Sequence, residues 1–223
     1  MKVMLTTQSG ILFKSEKACV MVDPHFTALP GKERKIPPSE ELLNTEPDFI
    51  LITHSHPDAL DIDTLKKLLL REKPVTVLSS ESAYETLSAI GGNNKYVLLA
   101  PHSVWNEKGI TFYSVKAEHT DRTAVGFILD DGEKTYYVSG DTLYNFDVID
   151  DVLDLVEDGV DVAFLPINGA DNNMNARDAA DFAYEIGAKR AVPVHYGLYD
   201  EVNPFDFDFD DALVLEPYKE VEM

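Results

Sequence analysis

The chain has 223 residues, 44% of them hydrophobic, which is enough for a substantial core. No apolar run approaches the roughly 18 residues of a membrane-spanning helix, so no such span is expected. Forty acidic residues against 19 basic ones give a formal net charge of −21, a field that repels phosphate backbones and argues against a long nucleic-acid substrate.

A single cysteine, Cys19, excludes an internal disulfide and fits a reducing cytosol. The first residues read as a strand rather than a signal peptide, so a cytoplasmic location is expected. Strand-like runs come early, at 2–7, 10–13 and 18–22, the last ended by Asp23-Pro24. Cys19 lies in the third and reads as a buried small hydrophobe. Residues 28–38, rich in proline and charge, read as loop, and Ser39-Glu40-Glu41 offers a cap for a short helix. A buried strand is expected at 48–53. Leu65, Leu68 and Leu69 then set a helix over 62–71.

A strand near 75–78, a helix near 82–90 ending at Gly91-Gly92, and a strand near 96–99 follow. The middle of the chain is β-rich, at 110–117, 123–129 and 134–138, with Asp130-Asp131-Gly132 as a hairpin turn. The last third alternates again: helix near 148–156, strand 160–165, helix 176–186, strand 190–194. Beyond it, Phe205 to Asp211 alternates aromatic and acid and reads as a surface segment with its phenylalanines turned inward. No linker divides the chain, so residues 1–223 read as one domain of α/β class, a two-sheet sandwich flanked by helices.

The densest chemistry lies in Ile52-Thr53-His54-Ser55-His56-Pro57-Asp58-Ala59-Leu60-Asp61. Alternate side chains of an extended segment share a face, so His54, His56 and Asp58 can converge on one point. Imidazole with carboxylate suits zinc or a similar divalent metal. Three further residues stand where a strand-like run ends: His119, Asp141 after Ser139-Gly140, and His195 after Val192-Pro193-Val194. Strand ends along one edge of a sandwich are where a site assembles from distant sequence, and Gly140 permits close backbone approach there.

The loop resembles the signature His-x-His-x-Asp-His of the metallo-β-lactamase superfamily, with Leu60-Asp61 fixing the frame. His119, the Gly140-Asp141-Thr142 turn and His195 match that family in order and context. Leu165-Pro166-Ile167-Asn168-Gly169, Met174-Asn175, Ala179-Ala180 and Val192 to Gly197 resemble its L-ascorbate-6-phosphate lactonase-like branch, and the likeness covers about residues 1–217. The resemblance implies an αββα sandwich with the site at one sheet edge. It implies one metal on His54, His56 and His119, with Asp141 bridging to a second on Asp58 and His195. Zinc, manganese or iron are the ions it implies, manganese being associated with the lactonases.

Two positions depart from the pattern. Ala59 stands where the family has its third histidine, which leaves Asp58, Asp141 and His195 for the second metal, lowers its affinity and favours a harder ion such as manganese. Thr7-Gln8-Ser9-Gly10 replaces the branch's Gly-His-Ala-type element. His25 is expected at the surface or facing substrate rather than as a substitute ligand, and His102 on a loop.

The expected reaction is hydrolysis of a small cyclic ester by metal-activated water. Asp141 would orient the water or bridge the ions, and a second metal, or Asp58 in its absence, would handle the developing negative charge or the leaving-group proton. Asn168 and Tyr196 are candidates to bind substrate oxygen, and Arg122 and Arg177 to bind a phosphate. Phosphodiester hydrolysis of a nucleotide or short nucleic acid is the second enzymatic reading, and a metal- or ligand-binding relic the third. The expected partner is a small-molecule substrate, with homo-oligomerisation open.

Overall fold

The computed structural model describes residues 1–27, 36–197 and 201–223; most of the loop expected at 28–38 lies outside them. Six strands with apolar residues at every or every second position build the first sheet: β1 (Lys2–Leu5), β2 (Ile11–Lys14), β3 (Cys19–Val22), β4 (Phe49–Ile52), β5 (Thr76–Ser79) and β6 (Lys95–Leu98). They pair in chain order, antiparallel from β1 to β3 and parallel from β3 to β6. The second sheet holds β7 (Val104–Glu107), β8 (Ile110–Lys116), β9 (Val125–Asp130), β10 (Thr135–Val138), β11 (Val162–Pro166) and β12 (Arg190–Val194), again in chain order. A short C-terminal strand, β13 (Val221–Glu222), closes the first sheet against β1.

Both faces of the first sheet are covered, so β4 is buried at all four positions. Phe49 and Leu51 lie in the core between the sheets, whereas Ile50 and Ile52 belong to a second cluster on the outer face. Rings from both sheets interlock across the middle, Phe49 with Phe112 at 4.8 Å and Phe13 with Phe164 at 5.5 Å between centroids. Leu65, Leu68 and Leu69 of α1 (Ile62–Leu69) and Ala83 and Leu87 of α2 (Glu81–Ser88) cover the outer face of the first sheet. Helix α3 (Phe146–Leu155) packs on β8, and α4 (Ala176–Glu185) on β11 and β12. The layers are therefore helix, sheet, sheet, helix, as the α/β sandwich reading expects.

This topology gathers one set of strand ends. The tip of the β1–β2 hairpin and the C-terminal ends of β3, β4 and β5 lie along one edge of the first sheet. In the second sheet β8, β10, β11 and β12 run the same way as one another, because two antiparallel steps separate β8 from β10 and the next two steps are parallel. Every residue singled out for metal chemistry follows one of these ends.

Several expectations need correction. The short helix after Ser39 is a 3-10 turn, Glu40–Asn44, with no side-chain cap. Strand β7 carries no apolar alternation, being a half-exposed edge hairpin partner of β8, and so left no periodic signal. Cys19 is half-buried rather than buried, although burial still pushes its thiol up to about 11 and makes it unreactive. In the aromatic-acid segment Phe207 and Phe209 turn inward, but Phe205, on a 3-10 turn (Pro204–Asp206), is 78% exposed. Among the described residues no helix is long and apolar enough to cross a membrane.

Candidate metal centre

Three imidazoles meet at the sheet edge. His54, two residues beyond β4, brings Nε2, and His56 and His119 bring nitrogens to the same point, all within 4.8 Å of one another. His56 Nδ1 lies 3.0 Å from His119 Nε2. Two nitrogens on one tetrahedral zinc at 2.0–2.1 Å would stand about 3.3 Å apart, so this spacing is close to that of a shared cation. The remaining ring nitrogens set the tautomers. His54 Nδ1 is 2.8 Å from Thr53 Oγ1, whose own proton goes to Asp23 Oδ2 at 2.7 Å, so His54 donates through Nδ1 and keeps its Nε2 lone pair. His119 Nδ1 donates to the Asn172 carbonyl at 3.3 Å, which leaves its Nε2 free as well.

Asp58, Asp141 and His195 form a second group of the same compactness. His195 Nε2 is 3.2 Å from Asp58 Oδ2 and 3.3 Å from Asp141 Oδ2. That Asp141 oxygen also stands 3.8 Å from His54 Nε2 and 3.9 Å from His119 Nε2, so a single carboxylate oxygen sits between the two groups.

Burial would raise both carboxyls, but the adjacent His195 and His54 hold Asp141 and Asp58 below the usual carboxylate range. Burial would lower His195, and the two carboxylates instead raise it well above an ordinary histidine. At His54 burial prevails and the ring is held neutral. Its Nε2 is buried without a hydrogen-bond partner and faces Asp58 and Asp141 oxygens beyond hydrogen-bond distance. A lone-pair nitrogen buried opposite two anionic oxygens is an environment a cation would satisfy, and the donor set of three imidazoles, two carboxylates and His195 fits a divalent metal.

Other side chains hold this geometry, and sequence reasoning did not find them. Asp121 accepts from Ser55 N and Oγ and from Ser82 Oγ through Oδ2, while Oδ1 takes Thr123. It thereby ties the His54–His56 loop to the His119 loop. Asn173 donates to Asp141 Oδ2 at 3.0 Å. Asn173 lies between two segments that the sequence did single out, around Asn168 and Met174-Asn175; its contact needs the loop to fold back on Asp141. Gly140, at φ +61°, has no room for a Cβ, which would fall 2.8 Å from Thr53 Cβ. The close approach expected there is the packing of β10's end on the residue before His54.

The remaining candidates separate. Ala59 is 1% exposed, in a turn closed by its N–H to the His56 carbonyl, and brings only a methyl. His25 is fully buried, against the expectation of a surface or substrate-facing ring; its Nδ1 is 3.2 Å from the Asp58 carbonyl and its Nε2 3.7 Å from Asp61. The side chain of Asp61 is itself taken up by Thr27, Thr64 and the cap of α1. His102 stands on a loop beside Asp151, as expected. Asn168 is half-buried on the loop after β11, with Oδ1 unpartnered. Tyr196 is turned to packing: its hydroxyl donates to the Leu215 carbonyl at 3.2 Å, and burial raises it to about 12. Arg122 is exposed on the loop after His119 and forms no ion pair with a described residue. Arg177 is 89% exposed on α4, 3.9 Å from Asp181, an i,i+4 surface pair.

The profile of a family described as a Beta-lactamase superfamily domain matches residues 19–196. A UPF0173 metal-dependent hydrolase of Symbiobacterium thermophilum is 31% identical over 189 residues, 81% of this chain and 77% of that protein. Another, from Staphylococcus carnosus, is 31% identical over 248 aligned positions that cover the whole of this chain and 99% of its own. Among solved structures the metallo hydrolase Igni18 from the archaeon Ignicoccus hospitalis superposes with a TM-score of 0.81 at 20% identity, covering 99% of this chain and 97% of that one. At that identity the likeness is one of fold.

Proposed function

The chain belongs to the β-lactamase superfamily as one of its metal-dependent hydrolases, and from that premise we propose that it opens a small cyclic ester, a lactone, with a metal-activated water. The observation that carries this reading is Asp141 Oδ2, one anionic oxygen placed between a three-histidine group and a mixed carboxylate–histidine group. His54, His56 and His119 would hold one ion, and Asp58, Asp141 and His195 a second. Nitrogen-rich and oxygen-rich sets side by side suit zinc in the first and manganese in the second. A divalent ion supplies Lewis acidity toward an ester carbonyl and lowers the pKa of bound water to about 7.

The chain's own groups do the rest. Asp141 orients the attacking water from between the two groups. Asp58, whose side chain is 19% exposed beside a buried Asp141, is the carboxylate that water and substrate can reach. It takes the proton from the water and returns it to the departing alkoxide, which in a lactone remains tethered to the acyl carbon. The Asn168 carboxamide, half-buried with an unpartnered oxygen, holds a substrate hydroxyl. Arg122 takes a phosphate if the sugar acid carries one. Each group keeps three ligands despite Ala59, which supports an active enzyme over a relic.

The test is a panel of aliphatic and sugar lactones and a chromogenic phosphodiester, run on protein loaded with zinc or manganese. Lactone opening that disappears with a chelator and in Asp141→Asn is expected. Phosphodiester cleavage without lactone opening, or no turnover of either class by metal-loaded protein, overturns the reading.

A further inference from the structure

The tip of the β1–β2 hairpin is the least ordinary polar segment of the molecule. Hairpin tips usually lie in water, yet Thr6, Thr7 and Gln8 are 2%, 0% and 1% exposed. The two threonines belong to the turn: Thr6 N donates to the Gly10 carbonyl, and Thr7 Oγ1 accepts from Gly10 N. Gln8 is different. Its backbone carbonyl accepts from His195 N at 2.5 Å, and both atoms of its side-chain amide are buried without a partner. A carboxamide buried with neither donor nor acceptor satisfied keeps its full desolvation penalty, so its retention calls for a role.

His195 presents the matching need. It sits in the left-handed region at φ +57°, a strained conformation for a histidine, and its Nε2 faces Asp58 and Asp141. Its Nδ1 is buried with no partner among the described residues. Histidines that hold metal nearly always give their second N–H to an oxygen, which fixes tautomer and ring orientation. His54 has Thr53 Oγ1 for this, and His119 has the Asn172 carbonyl. His195 alone of these three has none. Gln8 is the unpartnered acceptor tied to it through the backbone, and it adds no charge where two carboxylates already converge.

We propose that Gln8 is a positioning residue of the metal centre: in the metal-loaded protein its Oε1 accepts the Nδ1 proton of His195, which keeps Nε2 as the lone-pair nitrogen aimed between Asp58 and Asp141. This rests on the assignment of a second metal to Asp58, Asp141 and His195. It goes beyond it by giving the third ligand the partner that the other two buried histidines already have.

The test compares wild type with Gln8→Met, which keeps length but loses the acceptor, and Gln8→Glu, which keeps the acceptor. Zinc is titrated into metal-free protein against a competing chelator, and the ring 15N–1H signals of His195 are followed in the loaded protein. The step belonging to the second group is identified by its loss in Asp58→Asn. Gln8→Met is expected to weaken that step by about 10–100-fold, to leave the other step in place and to shift the His195 Nδ1–H signal upfield. Gln8→Glu, which returns the acceptor but adds a charge beside two carboxylates, is expected to restore the His195 Nδ1–H signal. Unchanged affinity and an unchanged His195 signal in Gln8→Met overturn the proposal, as does the same loss arising instead from Asn168→Ala. If Gln8→Met does not fold, a wild-type His195 protonated on Nε2 rather than Nδ1 when loaded overturns it alone. A wild type that takes up no second ion removes the site itself, and that failure is seen before any Gln8 variant is made.

Discussion

Asn173 Nδ2 donates a 3.0 Å hydrogen bond to Asp141 Oδ2, the same oxygen that lies nearest to His54, His119 and His195. The carboxylate is thus held on one side by an amide and presented on the other to two groups of ligands. Asn173 is 4% exposed, so the amide contact is shielded from bulk water.

Asn173→Ala is expected to lower metal affinity by roughly 10–100-fold, as loss of a partner behind a ligating carboxylate does. The fold should be retained, since the residue lies on a loop rather than in a strand. Chelator-competition titration reads the affinity and a thermal melt the stability. An unchanged affinity would show that Asp141 needs no orienting partner.

Ala59→His puts a ring where the turn now holds a buried methyl. A fourth protein ligand for the second group should raise metal occupancy and activity on the substrate panel. Overpacking a filled interior should at the same time cost about 1–3 kcal/mol of stability. Denaturant unfolding of metal-free protein measures the cost and metal analysis the gain. If neither occupancy nor activity changes, the ligand assignment for the second group is wrong.

Gly140→Ala tests the contact between β10's end and the histidine loop. Both the positive φ and the 2.8 Å approach to Thr53 oppose a Cβ, so a loss of about 1–3 kcal/mol or more is expected. Thr53 also supports His54, so metal affinity should fall with stability in this variant. A Gly140→Ala protein of undiminished stability and normal metal uptake would contradict the packing described.

Asp23 gives a pH signature. It is fully buried, and desolvation raises its carboxyl from 3.8 to about 7, against the hydrogen bonds it receives from Thr53. Between those values the folded chain holds a proton that the unfolded chain has released. Stability of the metal-free protein therefore gains from Asp23 at pH 4 and below, and this gain is lost as pH rises to about 7. Asp23→Asn should flatten that slope and make the variant relatively more stable above pH 7. Urea midpoints from pH 4.5 to 8.5 check it; a slope unchanged in the variant assigns the dependence elsewhere.

The sheets and helices were legible because their patterns are strong: Leu65, Leu68 and Leu69 mark one face of α1, and the short β-branched and aromatic run around Phe49 to Ile52 reads as a buried strand. Strand β7 was not, because an exposed edge needs no apolar alternation. At the metal centre the six ligand candidates were readable as strand-end histidines and aspartates in a family order, and the structure brings all six together. Asp121 and Asn173 were not readable, since each acts through a hydrogen bond to a residue distant in sequence. A spacing rule has no term for them. For Tyr196 and Arg177, proximity in sequence to His195 or Asn175 did not set the direction of the side chain, and these turn to Leu215 and to Asp181.

Two cations held on either side of Asp141 are the arrangement from which the proposed chemistry follows. Anomalous difference maps from crystals grown with zinc and with manganese measure it directly. Peaks bonded to His54, His56 and His119 on one side and to Asp58, Asp141 and His195 on the other are the predicted result. An absence of any peak at these residues under saturating metal, or density at a site that leaves out Asp141, would contradict it.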